Sequence, residues 1–530
     1  MSGSFDRKSS GADRRQARIQ KEQKEKKKTR IIAVSVTVVL ALLFLGAAFL
    51  NSKYIRRNMT AATIGDVNFT AVEFDYFFKI FHQEYENWVN EQFGEMAGMS
   101  GMLPQSGVSL SKQIYDEETG ETWADYITEY AVSQLSVMVQ YYSAAKAAGY
   151  VLPDEMRAEL DDQIAYVKMY AEIYGFPSFD YFLQQNYGIN MNEKCYRKIS
   201  EFIFTANAFS ENVRDLPEYS QAALESHYNE NRDTLDIFTF RYILVGSETV
   251  LKDDFDTDEE FDAAKEAALE EARQQAALIA AGIETEDDFI NAAREYDEES
   301  FDDPDSTLRS YPGSWLGSYY GPWMREGERV YGDLTNEDMT SGTYIVFFIS
   351  RDDNSYRMTE MRQILILRED VHDEYFGDEE HDHDHEDDAG FLEALEWADA
   401  EARGRADVVM NLFREGGATE SRLLELMADY SDDTTEGGFY DNIHKDPTTQ
   451  GKMVQEIEDW LFDESRQYGD YEMIETEAYG YHLVFFMGHG DRYCDVLADN
   501  EMRTNDYNAW QEGLAPVEFS KRWAFFFTEQ

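Results

Sequence analysis

Two stretches decide how this chain reads: Ser431–Tyr440, SDDTTEGGFY, and Tyr479–Phe486, YGYHLVFF. The paired glycines Gly437 and Gly438, following a Ser-Asp-Asp run, mark a tight turn. The apolar, aromatic-rich run Tyr481–Phe486 has the composition of a strand that closes a sheet. Met361–Ile366 (MRQILI) supplies a matching opening strand. An equivalent pair stands earlier in the chain, FRYILV at Phe240–Val245 and TYIVFF at Thr343–Phe348. From Tyr242 to Tyr344 is 102 residues and from Gln363 to His482 is 119. The excess of 17 equals the length of the acidic, His-rich stretch His372–Asp388. The expectation is an α+β chain with two related modules, 237–354 and 357–492, the second carrying an insertion at 372–388. Ala/Glu-rich helical sequence between the strands suits a small antiparallel sheet covered by helices.

In order and spacing the second module resembles the parvulin-type peptidyl-prolyl isomerases. The resemblance rests on Ser431-Asp432-Asp433, the Gly437-Gly438 turn, Gly469-Asp470 before the last strands, and Gly480-Tyr481-His482-Leu483. It implies catalytic positions at Asp433, His482 and Gln363, and substrate-binding positions at Met453, Ile457, Phe462 and Tyr481. The chain departs from the family at two of these. Gln363 stands where the first of two facing histidines belongs, and Ile457 stands where the pocket phenylalanine belongs. His482 equally suits a histidine satisfied within a core sheet, and Asp433 equally suits a loop or helix cap. In the first module Tyr242 and Tyr344 occupy both histidine positions, so it is expected to be catalytically silent.

The chemistry asked of such a site is modest. Rotation about a prolyl amide faces a barrier of ~18–20 kcal/mol and takes tens of seconds unaided. No bond breaks, so an apolar pocket, polar groups near the carbonyl and partial exclusion of water suffice. Gln363 can donate and accept hydrogen bonds, and the reaction needs no proton shuttle. No cofactor is expected.

Upstream, Thr70 and Glu73 have the spacing of a capping box, and Phe74, Phe77, Phe78, Phe81, Tyr85, Trp88 and Val89 follow at helical intervals. This stripe reads as a helix burying its core face rather than as a peptide groove. Further helices are expected at 123–148, 153–174, 178–187 and 192–212, with another opened by Pro217. A hairpin and helix, several more helices and then a strand resembles the N-terminal domain of SurA- and PrsA-like extracytoplasmic foldases. That resemblance implies a helical chaperone domain over 60–236, completed by the aromatic C-terminal segment 505–530. It implies unfolded or proline-containing secreted polypeptides as partners.

The N-terminus is organised differently. Residues 1–30 hold 11 Lys/Arg against 4 Asp/Glu, and Ile31–Leu50 is uncharged and almost wholly apolar. That is the length needed to cross a bilayer, and it exceeds the ~7–15-residue apolar core of a cleaved signal peptide. The reading is a basic tail (1–30) and a single signal anchor (31–52), with the N-terminus cytoplasmic and the bulk of the chain extracytoplasmic. The net charge is −59, leaving −66 on the remainder, which excludes nucleic acid as a partner. The chain has two cysteines, Cys195 and Cys494, too few for a disulfide framework. His381, His383 and His385 are candidate metal ligands. A solvated acidic loop is the plainer reading, and no structural or catalytic metal is assigned.

Overall fold

The computed structural model describes residues 6–50, 52–94, 101–369, 389–445 and 453–521. The chain is a mixed helix-and-sheet protein with small antiparallel sheets. One N-terminal helix runs Asp6–Leu50, and its segment Lys26–Gly46 is long and apolar enough to cross a membrane. None of that segment's apolar stretch is buried in the protein, and Phe44 is 74% exposed. The folded part divides into two compact units, 1–217 with 505–530, and 218–504.

In the first unit, β1 (Thr60–Ile64) and β2 (Val67–Thr70) form a hairpin. Gly65 in its turn has φ +55°, and a Cβ there would lie 2.9 Å from Val517 Cγ1, so both backbone and space require glycine. Thr70 ends the hairpin and caps the helix Ala71–Phe93: its hydroxyl takes the Glu73 N–H, and the Glu73 carboxylate takes the Thr70 N–H at 2.8 Å. That helix buries Phe74, Phe77, Phe81, Tyr85 and Val89, whereas Trp88 is 53% exposed. The stripe is therefore mainly core.

The helices Trp123–Ala147, Asp154–Ile173, Phe179–Tyr187 and Glu193–Asp215 close around it. A two-stranded ribbon, β3 (Ile114–Asp116) and β4 (Glu121–Thr122), precedes the first of them. Pro217 does not open a helix. The next one runs Gln221–Glu230, because Ser220 supplies the cap that Pro217 has no side-chain group to make. The C-terminal segment returns to this unit. Its strand Phe519–Lys521 pairs antiparallel with β1, Phe519 stacks on Phe74, and Trp510 stacks on Tyr141 at 5.4 Å. Trp523 and Phe525–Phe527 of that segment lie outside the described residues.

The second unit begins earlier than the 236/237 boundary read from sequence. The helix Gln221–Glu230 belongs to it, since Tyr228 and Leu235 pack with Cys494 and Ala498, and the Tyr228 hydroxyl donates to Asp236. Two four-stranded antiparallel sheets follow. The first is made of β5 (Ile237–Gly246), β6 (Leu308–Pro312), β7 (Leu334–Met339) and β8 (Gly342–Asp352), in the order β6-β5-β8-β7. The second is made of β9 (Arg357–Leu367), β10 (Phe439–Ile443), β11 (Tyr471–Thr476) and β12 (Gly480–Arg492), in the order β10-β9-β12-β11.

Register matches as well as order: Tyr242 opposes Val346 and Leu244 opposes Tyr344, as Gln363 opposes Val484 and Leu365 opposes His482. Side-chain detail repeats too. Arg241 pairs with Glu286 at 2.8 Å and Arg362 with Glu420 at 2.8 Å. Arg329 sits over the Trp323 ring and donates to that residue's carbonyl, as Arg466 does to Trp460. The two modules are copies of one plan. In each, one sheet face packs on long helices, Asp258–Ala280 with Glu286–Tyr296 and Ala389–Glu415 with Glu420–Tyr430.

Candidate functional site

The other face of the second sheet holds the site. Side chains alternate across a strand, so the pairing of β9 with β12 puts Met361, Gln363, Val484, Phe486 and His482 on one face. Gln363 and His482 lie diagonally across the two central strands and meet there. His482 Nδ1 is 2.9 Å from Gln363 Oε1, and Gln363 Nε2 donates to Asp433 Oδ2 at 2.8 Å. Because the amide nitrogen is given to Asp433, Oε1 is left to accept, and His482 donates from Nδ1. Its Nε2 then accepts from the Thr476 hydroxyl, 3.1 Å away. The three catalytic positions read from sequence thus form one connected relay.

The Gly437-Gly438 turn brings Asp433 to β9. Gly437 has φ +61° and Gly438 φ +53°, and a Cβ on Gly438 would stand 2.4 Å from the Gln363 carbonyl oxygen. Only glycine lets the turn approach this closely. Ser431 tethers the run from the other side, its Oγ accepting from the N–H groups of Leu365 and Asp433.

Two members of the relay escaped the sequence reading. Tyr440 donates its hydroxyl to Asp433 Oδ2 at 2.9 Å, takes a longer bond from Gln363 Nε2, and meets Thr435 Oγ1 at 2.9 Å. Its only signal was its place two residues past the glycine turn. Thr476 was hidden because it ends β11, which carries no motif.

Burial sets the electrostatics. Gln363 is 5% and His482 4% exposed. Desolvation pushes the His482 imidazole down to about 4, against the opposing fields of Asp433 and Glu456. Burial alone would raise the Asp433 carboxyl. The Thr435 N–H, the Gln363 amide and the Thr435 and Tyr440 hydroxyls outweigh it and hold the group below its ordinary value. At neutral pH the relay is a neutral imidazole, an amide and a carboxylate.

Beside it lies an apolar bed. Met453, Ile457, Trp460 and Leu461 pack with Met361, Val484 and Phe486. Met453 is 8% and Ile457 1% exposed, so these side chains are set in the module's packing. Phe462, half-buried, caps the helix Gln455–Leu461 and meets the Tyr356 ring edge-on at 5.4 Å. Tyr479, 48% exposed, stands edge-on to the His482 ring.

Tyr481 is a correction. One residue from His482 on the strand, it points to the opposite face, where its hydroxyl accepts from Arg403 at 2.9 Å and donates to Asp399. Strand alternation removes it from the substrate-binding set. In the first module the equivalent positions carry Tyr242 and Tyr344, edge-on at 5.5 Å, with Tyr320 stacked on Tyr242.

His381, His383 and His385 lie outside the described residues, as does all of 372–388. Among the described residues no group of three His, Cys, Asp or Glu has a geometry to hold a metal. Cys195 and Cys494 are buried and unbridged. No family model matches the chain, and no curated protein matches it.

Proposed function

We propose that this protein is a membrane-anchored extracytoplasmic foldase that binds unfolded polypeptide, with reduced prolyl isomerisation in its second module. Its architecture in this reading is an N-terminal anchor, a helical chaperone domain and two parvulin-like modules. The observation that carries it is the connected relay His482–Gln363–Asp433–Tyr440 lying beside the apolar bed of Met453 and Ile457.

A twisted prolyl amide loses conjugation, and charge shifts between its oxygen and nitrogen. A fixed polar relay next to an apolar floor favours that state without moving a proton. Gln363 keeps the relay continuous where a titrating histidine would otherwise sit. Each tenfold of rate requires about 1.4 kcal/mol of extra transition-state binding, and a relay whose donors are already satisfied supplies little of it.

The near-complete burial of Met453 and Ile457 favours a second reading, a non-catalytic binding protein built on the same plan. Prolyl exchange in a short peptide, measured by NMR with the full chain in detergent micelles, separates the two. Modest acceleration, rising in the Gln363→His variant and lost in Asp433→Ala, supports the foldase reading. No acceleration by either form, with aggregation of a denatured client still suppressed, leaves binding alone. Failure to suppress aggregation removes the foldase reading altogether.

A further inference from the structure

A cavity of about 520 Å³ opens in the first unit, far in sequence from the relay. Its floor is aromatic, formed by Phe69, Phe77, Tyr142 and Phe202. Its rim carries Lys146, Arg157 and Lys198. In a chain with 106 acidic and 47 basic residues, three cations around one opening are a local reversal of sign.

Two of them are answered. Lys198 binds the buried Glu73 carboxylate at 2.6 Å, and Lys146 stands 3.7 Å from Asp66. Arg157 makes no ion pair among the described residues; its guanidinium donates to the Leu152 carbonyl at 3.2 Å. The acidic residues lining the cavity are Glu73, already satisfied by Thr70 N–H and Lys198, and Glu201. One wall is β2, an edge strand paired on one side only among the described residues. An unpaired strand edge is a template for an added strand.

We infer that this cavity takes an extended segment of another polypeptide in which an apolar side chain and a carboxylate lie within a residue or two of each other. The segment runs along β2, the apolar side chain rests on the aromatic floor that Phe69 and Phe202 form edge-to-face at 5.7 Å, and the carboxylate meets the Arg157 guanidinium, whose planar fork suits it. A basic segment meets like charge at the rim. The inference deepens the foldase reading by naming where, and for which sequences, the chain holds its clients.

The test uses the full chain in detergent micelles and fluorescently labelled eight-residue peptides with Phe-Asp, Phe-Lys or Ala-Asp at the centre. Anisotropy should show Phe-Asp bound about tenfold more tightly than either control, a difference of about 1.4 kcal/mol. Arg157→Glu should erase the preference for Asp over Lys and leave that for Phe over Ala. Thr205→Trp, which fills the cavity, should weaken all three. Equal binding of Phe-Asp and Phe-Lys overturns the inference, as does an Asp preference that survives Arg157→Glu. So does unchanged binding by a Thr205→Trp variant that melts like the parent. Peptide-free chain that sediments as a dimer and is dissociated by peptide would make a second copy the occupant, and would also overturn it. Suppression of client aggregation is measured alongside. If suppression persists while the peptides are not distinguished, the cavity assignment falls and the foldase reading stands.

Discussion

At the scale of single residues, His482 carries the clearest consequence. Its imidazole is held at about 4 inside the fold, chiefly by burial, and near 6.5 in the unfolded chain. Between those values the unfolded state binds the proton and the folded state does not. The stability that comes from keeping His482 neutral is therefore full above about pH 6.5 and is lost as pH falls toward 4. The span corresponds to roughly 3 kcal/mol. Urea unfolding of the full chain in detergent, followed from pH 7.5 to 4, should show this slope, and His482→Asn should flatten it. A parent and variant with parallel profiles would mean that the imidazole is protonated in the fold. The residues of the relay were legible unevenly. Asp433, Gln363 and His482 stood out because they sit beside glycines or on apolar strands. Tyr440 and Thr476 contribute hydroxyls, and a lone Tyr or Thr in a strand carries no spacing signal. Tyr481 was misread because motif adjacency ignores the two-residue period of a strand.

At the scale of elements, the duplication shows what sequence pattern can and cannot convey. The opening and closing strands of each module were readable because MRQILI, FRYILV, TYIVFF and YHLVFF are rich in apolar and aromatic residues, and they form the central pair of each sheet. The repeated ion pair was not, because Arg241 with Glu286 and Arg362 with Glu420 are separated by different numbers of residues. That difference also shows that the extra length of the second module is not all contributed at one point. Part of it enters before Glu420 and part between Glu420 and β12. The two pairs differ in burial, the side chain being 6% exposed for Arg241 and 19% for Arg362. Arg241 also donates to the Pro304 carbonyl and the Thr307 hydroxyl. Removing one partner of a buried pair costs about 3–5 kcal/mol. Arg241→Met should approach the lower end of that range, with Glu286 partly reaching solvent. Arg362→Met should cost visibly less. Arg362 has one such bond of its own, to the Gly437 carbonyl at 2.6 Å, so equal losses in thermal melts would mean that the deeper burial of Arg241 contributes nothing.

At the scale of the whole molecule, charge is the governing quantity. With 106 acidic and 47 basic residues, even complete pairing of every cation leaves a large surplus of carboxylates. Many of the observed ion pairs are exposed, such as Lys252 with Asp258 and Arg214 with Asp215. Pairs of this kind contribute about 0–1 kcal/mol each. The surplus, by contrast, repels itself over the whole surface and destabilises the compact state. Salt weakens both effects. Raising ionic strength from 0.01 to 0.1 M shortens the screening length from about 30 to about 10 Å. That removes most repulsion between distant carboxylates and much less of the attraction within pairs in contact. Repulsion therefore loses more, and added sodium chloride should raise the melting temperature. The measurement is calorimetry of the full chain in detergent at the two salt concentrations, with the two compact units free to melt as separate transitions. A melting temperature that falls with salt would mean that the ion-pair networks of the second unit outweigh the self-repulsion of the chain.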